Sequence, residues 1–143
     1  MKISTKVRYG MRAMIELARR NGDAPVMLGI IAKNQDLSEK YLEQLFTMLR
    51  NAGLVKSERG NKGGYRLAKK AEEISAYDIF IALNGPLELV GCAVNKECCE
   101  RFSNCDTAGL WKEISESLKK ALISKTLAEL AQKNAGNFEM YNI

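Results

Sequence analysis

The chain has 143 residues, 46% of them hydrophobic, which suits one domain or a small domain with a helical extension. No apolar run approaches the ~20 residues that cross a bilayer, and the start, MKISTKVRYG, lacks the apolar core of a signal peptide, so a cytoplasmic protein is expected. There is no histidine, which excludes Ser–His and Cys–His catalysis and histidine-containing zinc fingers, and the net charge of +5 is divided unevenly: residues 1–70 hold 15 Lys/Arg against 6 Asp/Glu, and residues 71–143 hold 7 against 11. A basic first half attracts phosphate, and an acidic second half does not lie on it.

Ser4 or Thr5 can cap a first helix with the apolar stripe Val7, Met11, Met14, Ile15 and Ala18, ending at Asn21-Gly22. Its Lys6, Arg8 and Arg12 are expected at the surface. Pro25-Val26-Met27 reads as extended, and Leu28 to about Asn34 as a short helix with Ile30 and Ile31 inside. After the turn Asp36-Leu37, Ser38 caps a second helix, so the pair forms a helix-turn-helix. In it Leu42, Leu45, Phe46 and Leu49 recur at one-turn spacing and form the buried stripe. The opposite face carries Glu39, Lys40, Glu43, Gln44, Thr47 and Arg50, side chains long enough to reach base edges and phosphates.

Gly53 stops this helix. Leu54–Ser57 and Tyr65–Leu67 are predicted strands joined by the basic, glycine-rich turn from Arg59 to Gly64, a hairpin that places Lys62 and Arg59 among residues permitting close backbone approach. A helix with a polar face followed by such a wing is how a winged helix-turn-helix docks on DNA. Gln pairs with adenine, Glu accepts from cytosine N4 and Lys reaches guanine. Glu43 sits against the phosphate field, so its place there implies either specificity or an intrahelical pair with Lys40 or Thr47. The GNKGG turn runs from strand to strand, not from strand to helix, and no dinucleotide-binding pattern supports an enzyme.

Ser75-x-x-Asp78 resembles a capping box and opens a helix with Ile79, Phe80 and Leu83 that ends at Asn84-Gly85-Pro86. Residues 87–105 hold no steady period and carry all four cysteines. Asp106 or Thr107 caps a longer helix striped by Trp111, Ile114, Leu118, Ala121 and Leu122. Thr126-x-x-Glu129 starts a last short helix with Leu127 and Leu130, and the tail from Asn134 is polar. The fold expected is mostly α with a small β-hairpin wing: a winged helix-turn-helix over 1–85, a cysteine-rich loop over 86–106, dimerisation helices over 107–133 and a tail over 134–143. DNA half-sites are usually paired, so the long helix after the loop is read as a homodimer contact.

The segments MKISTKVRYGMRAM and LSEKYLEQLFTMLRNAGLVKSERGNKGGYRLAKKAEEIS, the cysteine cluster, and then LWKEIS and TLAEL occur in one order across most of the chain. In this the sequence resembles the Rrf-two family of bacterial transcription regulators (the IscR, NsrR and CymR group), most of all its IscR-like iron–sulfur cluster regulators. The resemblance implies a dimeric winged-helix regulator that binds an imperfect palindrome in double-stranded DNA. It places Ser38, Lys40, Glu43 and Gln44 toward bases, Arg59 of the wing in the minor groove with Gly60, Lys62 and Gly64 about it, and Tyr41 and Arg50 at positions that support the helix or meet phosphate. Lys40 stands where relatives often carry a small hydroxyl residue, which leaves the operator sequence open.

The cysteine pattern is Cys92-AVNKE-Cys98-Cys99-ERFSN-Cys105. Family members that hold a cluster have three cysteines with five residues in the second gap. The resemblance therefore assigns Cys92, Cys99 and Cys105 to an iron–sulfur cluster, [2Fe-2S] or [4Fe-4S], with Cys98 as the substitute for Cys99. The family's fourth ligands are not matched: Ala108 stands where a histidine would follow, and Arg8 where an acidic residue of the partner subunit would serve. Cys98, Glu97, Glu100, Asp106 or an exogenous ligand remain for that place. Three other readings of the thiols stand beside this one: a zinc site, a metal-free thiol switch, and an inert loop in a CymR-like repressor gated by a partner protein.

Overall fold

The structure, a computed structural model, describes residues 2–20, 22, 24–61, 63–89 and 105–133. Its first helix, α1, spans Thr5–Arg19, and the Ser4 hydroxyl accepts from the Val7 N–H at 3.4 Å. The face turned inward is Val7, Gly10, Ala13, Met14 and Leu17. The expected stripe is rotated: Met11, Ile15 and Ala18 sit at its half-buried edges, and Gly10, Ala13 and Leu17 take its centre. Gly10 explains the rotation, because a Cβ there would overlap the Leu83 Cδ1 atom. The absent side chain lets another helix close in on this side.

Helix α2 covers Leu28–Gln35 and α3 covers Glu39–Asn51. In α2 the residues at i, i+3 and i+4 — Leu28, Ile31 and Ala32 — are buried. Ile30, expected inside, is 43% exposed, because it stands about 200° around the helix from Leu28, on the far side from the buried face. Between the helices Asp36 takes a left-handed conformation at φ 56°, with its own N–H bonded to the Lys33 carbonyl and the Leu37 N–H to that of Ala32. That pair of bonds closes α2 in a Schellman turn and aims the chain at Ser38. Helix α3 ends the same way at Gly53, φ 78°, where the Gly53 N–H reaches the Arg50 carbonyl and the Leu54 N–H that of Leu49.

Strands β1, Val55–Glu58, and β2, Gly64–Leu67, pair antiparallel from Val55↔Leu67 to Glu58↔Gly64. Each differs by one residue from the sequence expectation. Gly64 joins β2 because it must lie against the backbone of Val26, where a Cβ would strike the Val26 carbonyl. Val26 and Tyr65 exchange two backbone hydrogen bonds of 2.8 Å, so the extended Pro25–Met27 segment forms a third, one-pair edge to the wing.

A 3-10 turn at Ala71–Glu73 leads to α4, Ala76–Asn84. Both halves of its capping box are formed: the Ser75 hydroxyl accepts from the Asp78 N–H, and the Asp78 carboxylate accepts from the Ser75 N–H. Helix α5 spans Ala108–Ile123 and α6 spans Leu127–Lys133. Thr107 holds the cap position of α5 without a side-chain cap bond, whereas the Thr126 hydroxyl accepts from Glu129 as its motif implies. The 134–143 tail lies outside the described residues.

Two features of the C-terminal part place it against the head. Ser75 and Thr126 form a β-bridge, with the Ala76 N–H on the Lys125 carbonyl and the Leu127 N–H on the Ile74 carbonyl at 2.8 and 2.7 Å. Helix α6 then packs on α1, where Arg19 Nε donates to the Ala131 carbonyl at 2.8 Å. Leu127 is fully buried in the core with Met14, Leu17 and Ile79. By contrast α5, which lies along α4, buries none of its residues: Trp111, Ile114, Leu118 and Leu122 are half-buried, Ala121 is exposed, and Leu110 and Ile123 are each 48% exposed. The stretch 107–133 thus combines one helix with an uncovered apolar edge and one helix that completes the head.

Because Leu127 fills the core beneath α1, Leu127→Ala is expected to cost about 2–5 kcal/mol of stability by its cavity and lost burial. Lys125→Ala, on the surface two residues away, is expected to stay within about 0.5 kcal/mol. Urea unfolding of the two variants checks this, and equal midpoints would show that α6 is not part of the folded head.

Candidate nucleic-acid interface

The outer face of α3 is built from its inner one. Leu42, Leu45, Phe46 and Leu49 are at most 1% exposed, so the helix is fixed against rotation. Helical spacing then sets Lys40, Glu43, Gln44 and Thr47 on the outside in one cluster, with Arg50 one turn further; all are exposed. The Ser38 hydroxyl accepts from the Tyr41 N–H at 3.1 Å and remains at the exposed tip of the helix N-terminus. A helix start turns unpaired N–H groups and a partial positive charge outward, which favours phosphate.

Glu43 makes no ion pair with Lys40 among the described residues, and the Thr47 hydroxyl donates to the Glu43 carbonyl at 2.9 Å, not to its carboxylate. The Glu43 carboxylate is therefore available to accept from a base. Glu39 is used differently: its carboxylate lies beside Gly29 in the first turn of α2, at the positive end of that helix.

The wing stands beside this face. Gly60, φ 118°, turns the chain after Arg59, and the Gly63 N–H closes the turn on the Gly60 carbonyl at 2.9 Å. A Cβ on Gly63 would strike the Glu58 carbonyl, so the turn is as narrow as a backbone allows. Arg59 and Gly60 are exposed at its tip. Next to the turn Arg66 Nε pairs with Glu58 at 2.7 Å across the two strands, and the Tyr65 ring meets Phe46 of α3 edge-on with centroids 5.0 Å apart. That contact ties wing and α3 into one surface. The structure brings Ser38, Lys40, Glu43, Gln44, Arg50, Arg59 and Gly60 to the exterior of these two elements, with Tyr41 half-buried behind them and Gly64 against Val26. Lys62 lies outside the described residues.

Sequence reasoning treated Arg12 only as a surface cation, and did not single out Tyr9 or Gln35. Tyr9 of α1 meets Tyr41 of α3 edge-on at 6.3 Å and 84°, and the guanidinium groups of Arg8 and Arg12 stand 5.8 and 5.4 Å from the Tyr9 ring centroid. The i, i+4, i+8 row Arg8, Arg12, Glu16 was the available signal for a functional edge on α1.

Cys92, Cys98 and Cys99, with Glu97 and Glu100, lie outside the described residues. Cys105 lies within them, half-buried just ahead of α5. Its thiol is 3.4 Å from the Thr107 hydroxyl. Hydrogen bonds from that hydroxyl and then from the Thr107 backbone hold the thiol below its ordinary pKa, against the opposing effects of burial and of Asp106. These hydrogen bonds ease ionisation to the thiolate, the form that ligates iron or zinc and that attacks oxidants. Among the described residues no group of three or more His, Cys, Asp or Glu side chains gathers as a metal site.

The Rrf2 family profile, described as an iron-dependent transcriptional regulator, matches residues 3–133. The chain is 46% identical over 141 residues to the HTH-type transcriptional regulator CymR of Bacillus subtilis (strain 168), covering 99% of this chain and 97% of that protein. The solved structure of that CymR, described as the global cysteine regulator of B. subtilis, superimposes with a TM-score of 0.78 over 93% of this chain and 98% of its own. The T. potens IscR structure matches with a TM-score of 0.76 and 39% identity, over 99% of this chain and 96% of that one. An oxidized form of Staphylococcus aureus CymR matches at 0.72 and 43%, over 92% and 97%. These relatives are transcription regulators, not enzymes, and their winged helix-turn-helix architecture is that of the present fold.

With Cys92, Cys98 and Cys99 replaced by Ser, alkylation of Cys105 by iodoacetamide should reach half its maximal rate at a lower pH than alkylation of a cysteine in an unstructured peptide. Thr107→Val removes the donor hydroxyl, so the midpoint should rise. A pH–rate profile indifferent to Thr107→Val would remove Thr107 as the cause.

Proposed function

We propose that this chain, which belongs to the Rrf2 family of transcriptional regulators, binds an imperfect palindromic operator as a homodimer and adjusts that binding through its cysteine segment. The observation that carries the DNA-binding part is the joined surface of α3 and wing, polar and cationic outside and locked by buried side chains within. In this reading Gln44 pairs with adenine, Lys40 reaches guanine and Glu43 accepts from cytosine N4 while Ser38 holds the near edge. Arg59 enters the minor groove, where a narrow groove concentrates negative potential. Tyr41, Arg50, Gly60, Lys62 and Gly64 set the register against the phosphate backbone.

The homodimer rests on α5. Leu110, Trp111, Ile114, Leu118 and Ile123 leave an apolar edge that a second copy would cover, and covering it would set two reading heads at a fixed spacing. The 1–85 head, the 86–106 cysteine segment and the pairing helix of 107–133 then act in series, with α6 belonging to the head. The acidic second half carries the pairing face and so stays off the DNA. Among the described residues no helix is long and apolar enough to cross a membrane.

For the cysteine segment the first reading is an iron–sulfur cluster held by Cys92, Cys99 and Cys105, with Cys98 as substitute for Cys99. Cys105 is compatible with that role, since the Thr107 hydrogen bonds lower its pKa. A bound cluster would supply a centre sensitive to oxygen, nitric oxide or iron supply. The second reading is a metal-free repressor gated by thiol oxidation or by a partner protein. It is supported by the 46% identity with CymR and by a CymR relative having an oxidized form.

Anaerobic purification with iron and sulfide assays separates the two. On the first reading Cys92→Ala, Cys99→Ala and Cys105→Ala each lose iron and sulfide and Cys98→Ala keeps them. A parent protein that carries neither under iron-replete expression, yet changes operator affinity with an oxidant or a partner, establishes the second. For the DNA surface, affinity should fall linearly in log–log with salt as phosphate counterions are released. Gln44→Ala should lower discrimination among operators by ~1–3 kcal/mol per contacted base pair. A binding-site selection that returns the parent motif from Gln44→Ala would reject the role of α3.

A further inference from the structure

Helix α1 grips both helices of the helix-turn-helix along one edge. Arg12 Nε donates to the Gln35 side-chain oxygen at 2.9 Å, and Arg12 Nη2 donates to the Gln35 backbone carbonyl at 3.3 Å. Gln35 is the last residue of α2, and its carbonyl belongs to the final turn, where no intrahelical donor remains. The Gln35 amide in turn donates to Glu16 Oε1 at 3.3 Å, and Glu16 Oε2 faces Arg20 Nε at 3.9 Å. On its other side the same guanidinium lies 5.4 Å from the centre of the Tyr9 ring, and Tyr9 meets Tyr41 edge-on. Tyr41 is the third residue of α3. Lys40 precedes it, and Glu43 and Gln44 follow within one turn.

We propose that Arg12 is a positioning residue for base reading: its fork on Gln35 and its stack on Tyr9 together hold the end of α2 and the first turn of α3 in the register that presents Lys40, Glu43 and Gln44 to the groove. The proposal rests on the DNA-reading function given above. Two properties make Arg12 suited to it. The planar guanidinium offers two parallel donors and a stacking face at once, which an ammonium group cannot. Its fork ends on Gln35, just before the Asp36 turn, and its stack reaches Tyr41, just after that turn, through Tyr9, so the two contacts bracket the place where the angle between α2 and α3 is set. A small displacement of Tyr41 moves the whole first turn, because helices shift as rigid units and packed contacts are discrete.

The test uses the full purified chain and two DNA probes: the duplex that the parent protein recovers from a randomised pool, and a shuffled duplex of the same length and composition. Arg12→Lys keeps the charge and loses the fork and the stack. It should reduce the ratio of affinities for the two duplexes roughly tenfold, the size expected of residues coupled to a site they do not touch, with the salt slope at the parent value. Gln35→Ala removes the fork and leaves the stack, so it should lower the ratio by no more than Arg12→Lys does, and Arg12→Lys with Gln35→Ala should lose no more than Arg12→Lys alone, since the fork is already gone there. A purely structural role would lower the urea midpoint and leave the ratio unchanged. A parental ratio in Arg12→Lys, or additive losses in the double variant, overturns the proposal. So does Arg12→Ala lowering affinity for both duplexes alike with a shallower salt slope, because that is a phosphate contact. Gln44→Ala runs beside them: if it leaves the ratio unchanged, the DNA-reading function itself fails, whereas a changed ratio there beside a parental Arg12→Lys removes only the role of Arg12.

Discussion

The burial of one side of α3 is the constraint on which the rest depends. A helix in a groove must not roll, and an isolated helix of this length would not hold its shape in water. Leu42, Leu45, Phe46 and Leu49 supply both conditions by entering a core shared with α1, α2 and α4. The wing inherits its place from the same packing, since Tyr65 rests on Phe46. Even the C-terminal α6 serves it, because Leu127 closes the core from below. A polar surface of the kind seen on the outside of α3 is cheap to make on any helix; holding it at one angle to a hairpin requires everything behind it.

The charge division follows the same logic. The cations lie mainly in the part of the chain that forms α1, the helix-turn-helix and the wing, and the surplus of carboxylates lies after it. Long-range attraction to phosphate is a property of that part of the chain. Within it, however, the arginines do different work. Arg59 is exposed on a glycine turn. Arg12 is committed to protein partners on two sides, and Arg66 pairs with Glu58 across the strands. Counting basic residues along the sequence does not separate these uses.

Local signals were legible, and tertiary ones were not. Ser38, Gly53 and the Ser75–Asp78 box fix helix ends through bonds spanning a few residues, and all three read correctly. So did the stripe of α3, whose members are large. The stripe of α1 was read off-centre because Gly10, which has no side chain to score, is where Leu83 of α4 closes in. Ile30 was misplaced because two neighbouring isoleucines look alike in composition but diverge on a helix. The β-bridge between Ser75 and Thr126 uses backbone groups only and leaves no trace in residue type. The contact of Arg12 with Gln35 spans 23 positions, and neither residue is unusual alone. Of the candidate ligands, Cys105 was readable as a thiol, but the lowering of its pKa comes from Thr107, a residue expected only as a cap.

The bridge between Ser75 and Thr126 also bears on how this sequence can change over time. Helix α4 begins and α6 begins at the same bridge, and α5 lies along α4 between them. Helices α4 and α5, on either side of residues 90–104, therefore belong to one packed unit with α1 and α6. Closing a connection between two fixed points costs little more when it lengthens, about 0.6 kcal/mol for each doubling of a flexible one. The fold thus fixes both ends of that connection through the head itself, and a change of length or residue type between those ends need not move α3 or the wing.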